Sequence, residues 1–142
     1  MIYFAKLHKE QGGYWTEFPE LDCTGSDGTT LNEIRKNSKE ALEGILESLF
    51  DRECNIPSPK LRRGKNWLPI TVDDSIAIPI ILRQFRLAHG LTLVKMAKRL
   101  GVAYQSYQVL ETLHKANPTI KTLRNVAQAL EIPVLDLLKE IA

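Results

Sequence analysis

The chain has 142 residues, 44% of them hydrophobic, and a formal net charge of +2. This is enough for one ordinary domain or two small ones and excludes wholesale disorder. No stretch approaches the roughly 20 apolar residues of a membrane-spanning helix. Cys23 and Cys54 are too far apart for a metal knuckle and have no histidine cluster beside them. A disulfide between them stays open, but two thiols in such a chain are more often buried as small hydrophobes. The opening "MIYF" lacks a basic n-region and a long apolar run, so the expected location is the cytoplasm.

Divided along the chain, the charge becomes informative. Residues 1–58 carry 6 basic and 11 acidic side chains, a net −5; residues 59–72 hold Lys60, Arg62, Arg63 and Lys65 and no acid; residues 73–142 carry 9 basic against 6 acidic. The acidic part repels a nucleic acid and the remainder tolerates one, which argues for two modules with different partners.

In chain order, "MIYFAKLHKE" reads as a strand, "QGG" as a hairpin turn and "YWTEFPEL" as a second strand. Alternation puts Tyr14, Thr16 and Phe18 on one face, Trp15 and Glu17 on the other. "DCTGSDGT" gives a weaker third strand and a polar loop. "TTLNEIRKNSKEALEGILESLFDRE" is a long amphipathic helix, with Thr30 and Glu33 as a capping box and Leu31, Ile34, Ser38, Ala41, Leu42, Ile45, Leu49 and Phe50 as its buried stripe. The Pro-containing basic segment, about residues 55–67, reads as an exposed connector, and Leu68–Val72 as a strand returning to the sheet. Residues 1–72 are thus expected to form a β-β-β-α-β module of α+β class.

Residues 73–142 read as five helices: about Ile78–His89 with Pro79 in the first turn, Thr92-capped to Leu100, about Tyr104–Leu113, from Pro118-Thr119 to about Glu131, and one from Pro133. The expected core includes Leu82, Leu91, Met96, Ala97, Val102, Tyr107, Ile120, Leu123, Val126, Leu130 and Leu138.

The segment "LRQFRLAHGLTLVKMAKRLGVAYQSYQVLETLHKANPTIKTLRNVAQALEIPVLDLL", residues 82–138, resembles the phage Cro/C1-repressor class of helix-turn-helix domain (XRE-like). The resemblance implies a third helix lying in the major groove of double-stranded operator DNA, with Tyr104, Gln105 and Val109 facing bases and Ser106 and Gln108 beside them. Leu93 departs from the Gln usual at the start of the second helix, Val94 from a usual charge, and Ala103 from a usual Ser or Thr cap. That third helix holds no Lys or Arg, yet an uncharged helix can still read DNA. Gln105 can bond adenine N7 and N6, and Val109 can pack on a thymine methyl. Positioning charge is expected from Lys95, Lys98, Arg99, Lys115, Lys121 and Arg124, with the basic connector as a further source. Leu93 and Val94 are left with two readings, packing on another part of an assembly or on thymine methyls.

Residues 12–50, "GGYWTEFPELDCTGSDGTTLNEIRKNSKEALEGILESLF", resemble the HicB antitoxin family, with "NIPSP" after the helix also fitting; "ELDCTGSDGT" departs from the family's usual Pro-Gly-Cys pattern. The resemblance implies a partial ribonuclease-H-like domain that binds and blocks HicA, a small basic mRNA-cleaving toxin, joined to a domain that represses the protein's own operon. The acidic charge supports this independently, because it complements a partner built to hold RNA. Trp15, Glu17, Phe18, Glu20, Asp22 and Asp27 are the expected toxin contacts. Two-fold operators call for a homodimer or higher even oligomer, with Leu135, Leu137 and Ile141 as candidate contacts.

Catalysis is not expected. The first strand lacks a carboxylate, and Asp22, Asp27, Glu33 and Asp51 are scattered, which does not suit two-metal hydrolysis. His8 reads as a strand-edge residue rather than a general base. No metal or cofactor is expected. The rival reading is a repressor whose N-terminal domain senses a small ligand in a concave apolar pocket; a third, a nuclease, predicts metal-dependent cleavage.

Overall fold

The computed structural model describes residues Met1–Ala142, which divide into two units, Met1–Asp73 and Asp74–Ala142. In the first, β1 (Ile2–Glu10) and β2 (Gly13–Phe18) form an antiparallel hairpin across Gln11-Gly12. Gly12 takes φ +92°, where a side chain is strongly disfavoured. Gly13 is needed for a different reason: a Cβ there would lie 2.6 Å from the Gly28 carbonyl oxygen. β3 (Cys23–Gly28) pairs with β2, and β4 (Trp67–Thr71) with β1, giving an antiparallel sheet of order β3-β2-β1-β4. β1 is therefore an inner strand, but β4 pairs with it only as far as Lys6, so His8 has a sheet neighbour on the β2 side alone, as expected of a strand-edge residue.

Helix α1 (Leu31–Asp51) covers one face of this sheet. Its buried line is Ile34, Ser38, Leu42, Leu46 and Phe50, a strict four-residue step. The predicted stripe was too wide: Leu31 is exposed, Ala41, Ile45 and Leu49 are half-buried, and Leu46 belongs to the core. A helix crossing a sheet presses one ridge into it, and flanking residues stay at the rim. Ser38 tolerates burial because its Oγ lies 2.6 Å from Thr16 Oγ1, which also accepts the Ser26 N–H. At the helix start Thr30 Oγ1 accepts the Glu33 N–H at 3.1 Å. The Glu33 carboxylate reaches Thr29 N and Oγ1 instead of Thr30, so the box is displaced by one residue.

Residues 52–66 are not a free connector. Ile56 is buried, the Tyr3 hydroxyl donates to the Pro57 carbonyl, and Arg62 bonds Glu20. Cys54 is exposed, against expectation, because it follows the helix end rather than packing beneath it; Cys23 is half-buried.

The second unit contains α2 (Asp74–Ala88), α3 (Leu93–Leu100), α4 (Tyr104–Gln108) continued by a 3₁₀ turn (Val109–Glu111), α5 (Ile120–Ala129) and α6 (Val134–Ile141). α2 starts a full turn earlier than predicted, so Pro79 lies inside it. Proline cannot donate to the carbonyl four residues back, and the freed Ser75 carbonyl accepts the His114 N–H instead, at 3.0 Å. A defect in one helix thereby becomes a tether for the loop before α5. Leu82, Leu91, Met96, Ala97, Tyr107, Leu123, Val126, Leu130 and Leu137 are buried. Val102 and Ile120, expected in the core, are exposed because each sits at a helix boundary, one after the Gly101 turn and one at the first residue of α5. No helix is long and apolar enough to cross a membrane.

Gly44 lies in the interior of α1 and is exposed, with nothing within 4 Å of where a Cβ would sit. Close packing does not require it. Gly44→Ala is expected to stabilise the first unit by about 0.5–1 kcal/mol, through helix propensity alone. Urea unfolding checks this; an unchanged or lowered midpoint contradicts it.

Candidate nucleic-acid interface and the polar face of the sheet

The turn between α3 and α4 follows from local chemistry. Thr92 caps α3 by accepting the Lys95 N–H at 3.1 Å. Gly101 ends the helix at φ +68°, and the Val102 N–H returns to the Ala97 carbonyl. Ala103 precedes α4 with no side-chain cap, leaving its first donors outward. Five residues of helix and a 3₁₀ turn would not hold their shape alone. Something beneath must fix them.

That anchor is a buried ion pair absent from the sequence reading. Arg86, on α2, donates from Nε to Glu111 Oε1 at 2.6 Å and from a terminal nitrogen to Oε2 at 2.9 Å. A further guanidinium N–H bonds the Leu91 carbonyl at 2.7 Å. Tyr107 has no exposed surface and donates its hydroxyl to Glu111 Oε1 at 2.6 Å. The hydrogen bond to Glu111 raises the guanidinium's proton affinity, and burial pushes the Tyr107 phenol well above its usual range. Both groups stay protonated, so the donors are fixed. The signal was present in "LRQFRLA": Arg86 falls four residues after Leu82, on the buried stripe.

With Tyr107 turned inward, the rest of α4 faces out. Tyr104, Gln105, Ser106, Gln108 and Val109, the five expected base-facing residues, are all exposed. Lys95, Lys98, Arg99, Lys115, Lys121 and Arg124 are exposed as well. Arg99 spends one bond on the Ala129 carbonyl at 3.2 Å, near the C-terminal end of α5, where a cation is favoured. Glu111 is the only acid from Leu93 to Leu130, and it is buried and neutralised by Arg86. Every exposed formal charge across that span is therefore positive. Leu93 is half-buried and Val94 is exposed. On α6, Leu135 is exposed and Ile141 half-buried, but Leu137 is fully buried, which removes it from the dimer candidates.

The sheet face opposite α1 carries a second constellation. Counting outward from the Gln11-Gly12 turn pairs His8 with Trp15 and Lys6 with Glu17. The His8 and Trp15 rings stack at 3.9 Å and 11°. Trp15 Nε1 donates to Glu10 at 2.9 Å. Glu17 accepts from His8 Nε2 at 3.0 Å and faces Lys6 Nζ at 3.6 Å. The His8 bond, ahead of Lys6, holds the Glu17 carboxyl below its usual range. Asp22 and Asp27 are exposed. Phe18 has no exposed surface because it points under α1, so it leaves the set of partner contacts. Glu20 is 3% exposed at its side chain and paired with Arg62 at 2.9 Å. Its charge is already committed within the chain. No group of three or more His, Cys, Asp or Glu side chains converges on a metal-sized site.

Residues 82–137 match the family model described as helix-turn-helix. Most of the chain is similar to HicB antitoxins: that of Escherichia coli is 28% identical over 84% of this chain and 86% of the relative. Antitoxin HicB 1 of Photorhabdus laumondii is 27% identical over 85% and 76%, and the HicB antitoxin of Pseudomonas fluorescens 25% over 91% and 86%. The chain is thus similar to HicB antitoxins over most of its length and matches a helix-turn-helix model in its C-terminal part.

Glu111→Gln keeps the shape but leaves Arg86 buried without its counter-charge. The expected cost is about 3–5 kcal/mol in the second unit. Adding Arg86→Met to that variant is expected to cost less than the sum of the two single changes. Strict additivity in urea unfolding contradicts the account of the pair.

Proposed function

We propose that this chain is the antitoxin of a toxin–antitoxin pair, inhibiting a HicA-like mRNA-cleaving ribonuclease with its first unit and repressing its own operon with its second. We read the sheet-and-helix unit, about residues 1–72, as a partial ribonuclease-H-like domain used for binding rather than catalysis, and the protein as cytoplasmic. One observation carries the DNA half: an exposed, neutral reading helix in a stretch whose only acid is buried against Arg86.

In this reading the six exposed cations hold phosphates, which fixes register without carrying sequence information. Gln105 and Val109 then read adenine and a thymine methyl, with Tyr104, Ser106 and Gln108 beside them. Two copies joined through Leu135 and Ile141 would match an inverted-repeat operator. The toxin half rests on the similarity to HicB antitoxins and on a slight acidic excess: Met1–Asp73 carries 10 basic and 12 acidic side chains, a net −2, complementary to a basic ribonuclease. The Trp15–Glu17 face, with Asp22 and Asp27, is the proposed contact. The open depression beside the β1–β2 turn is lined by Glu10, Tyr14, Trp15, Asp27, Glu33 and Asn37 among others.

Two measurements check this. The product of the adjacent reading frame is expected to cleave RNA alone and to lose that activity when this chain is added at equal concentration; undiminished cleavage contradicts the antitoxin reading. Gln105→Ala is expected to weaken binding to the duplex upstream of the protein's own reading frame by about 1–3 kcal/mol while leaving a random duplex unaffected. Equal loss on both duplexes contradicts base reading by Gln105.

A further inference from the structure

Residues 52–66 run for fifteen positions without helix or strand, and structureless loops of that length in compact domains are usually functional or disordered. This one is held down along its length. Ile56 is buried. The Tyr3 hydroxyl, itself beneath the sheet, donates to the Pro57 carbonyl at 2.5 Å. The Arg62 guanidinium bonds Glu20 Oε1 through Nε at 3.3 Å and a terminal nitrogen at 2.9 Å, and it lies 5.1 Å from the centre of the Trp67 ring. At the far end the Leu7 N–H reaches the Asn66 carbonyl at 2.7 Å. The segment is a strap on the first unit, and only β4, Val72 and Asp73 separate it along the chain from the helix-turn-helix unit.

The four cations of its second half, residues 59–66, are divided in use. Arg62 is turned onto a nearly buried carboxylate and serves as the pin. Lys60, Arg63 and Lys65 are exposed, and none of them joins the ion pairs of the structure. No acid occurs between residues 59 and 72. The strap thus holds three unneutralised cations on a backbone already ordered by contacts that do not involve them. A solvated charge run would have no use for such ordering. A polyanion would, since the entropy of fixing the loop is met before binding.

We infer that Lys60, Arg63 and Lys65 form a second phosphate-binding surface, outside the helix-turn-helix, that engages the backbone of double-stranded DNA. Duplex DNA is the favoured polyanion because only seven residues separate the strap, along the chain, from the unit proposed to bind it. The inference rests on that DNA-binding reading. The strap adds affinity without sequence selectivity, since it meets phosphates only.

The test uses the full chain and a random-sequence 30-base-pair duplex, with binding followed by anisotropy across a salt series. The variant is Lys60→Gln/Arg63→Gln/Lys65→Gln, all on the surface. The control is Arg35→Gln/Lys36→Gln, exposed cations on α1. Each phosphate contact contributes about 0.9 to the slope of log K against log salt, so the triple variant is expected to lose about 2–3 from it while the control loses none. Gln105→Ala is expected to keep the full slope. An unchanged slope in the triple variant overturns the inference and leaves the helix-turn-helix reading standing; failure of the unaltered chain to bind any duplex overturns both. A triple variant that loses affinity for single-stranded RNA but not for duplex DNA also overturns it.

Discussion

The buried pair of Arg86 and Glu111 is the constraint on which the second unit depends. It joins α2 to the 3₁₀ turn after α4, takes the Tyr107 hydroxyl into the same cluster, and ties in the carbonyl of Leu91 just before α3. A five-residue helix has little stability of its own, so its orientation must come from below. The pair also removes the one negative charge from a long cationic stretch. Buried ion pairs add little net stability over apolar packing, and their better-supported use is to select one arrangement. Here the arrangement selected turns Tyr107 inward and the remaining α4 side chains outward.

In the proposed reading the two units solve different recognition problems with different chemistry. The second carries neutral groups on the short helix and lysines and arginines elsewhere. The first exposes a face where His8, Trp15, Glu10, Glu17 and Lys6 already bond one another. Side chains held this way lose less freedom when a partner arrives. In the proposed reading, that preorganised acidic and aromatic face meets the toxin while the neutral helix meets the operator.

Much of this was legible from residues alone because the signals were local. Thr92 and Gly101 bracket α3 as predicted, the Gly12 hairpin fixes a register that pairs Lys6 with Glu17, and the β-β-β-α-β order stands. What escaped depends on distant parts of the chain. Pro79 looked like a helix start, and only the His114 N–H, reaching the freed Ser75 carbonyl, explains its place inside α2. Glu20 reads as a surface charge from its own neighbours, but Arg62, forty-two residues away, lies against it. Leu137 looked like an exposed apolar contact because the packing of α6 cannot be read from its own periodicity; it faces the core. Arg86 was readable in principle, from its spacing on an apolar stripe, but its partner Glu111 was not.

The central claim is that neutral side chains read sequence while separate cations supply attraction. Its most direct test compares the duplex upstream of the protein's own reading frame with a random duplex of equal length, as salt rises from about 50 to 200 mM. The account predicts that both affinities fall steeply and in parallel, so that their ratio stays constant. A ratio that shrinks as salt rises would show that charged groups carry the specificity, and would contradict it.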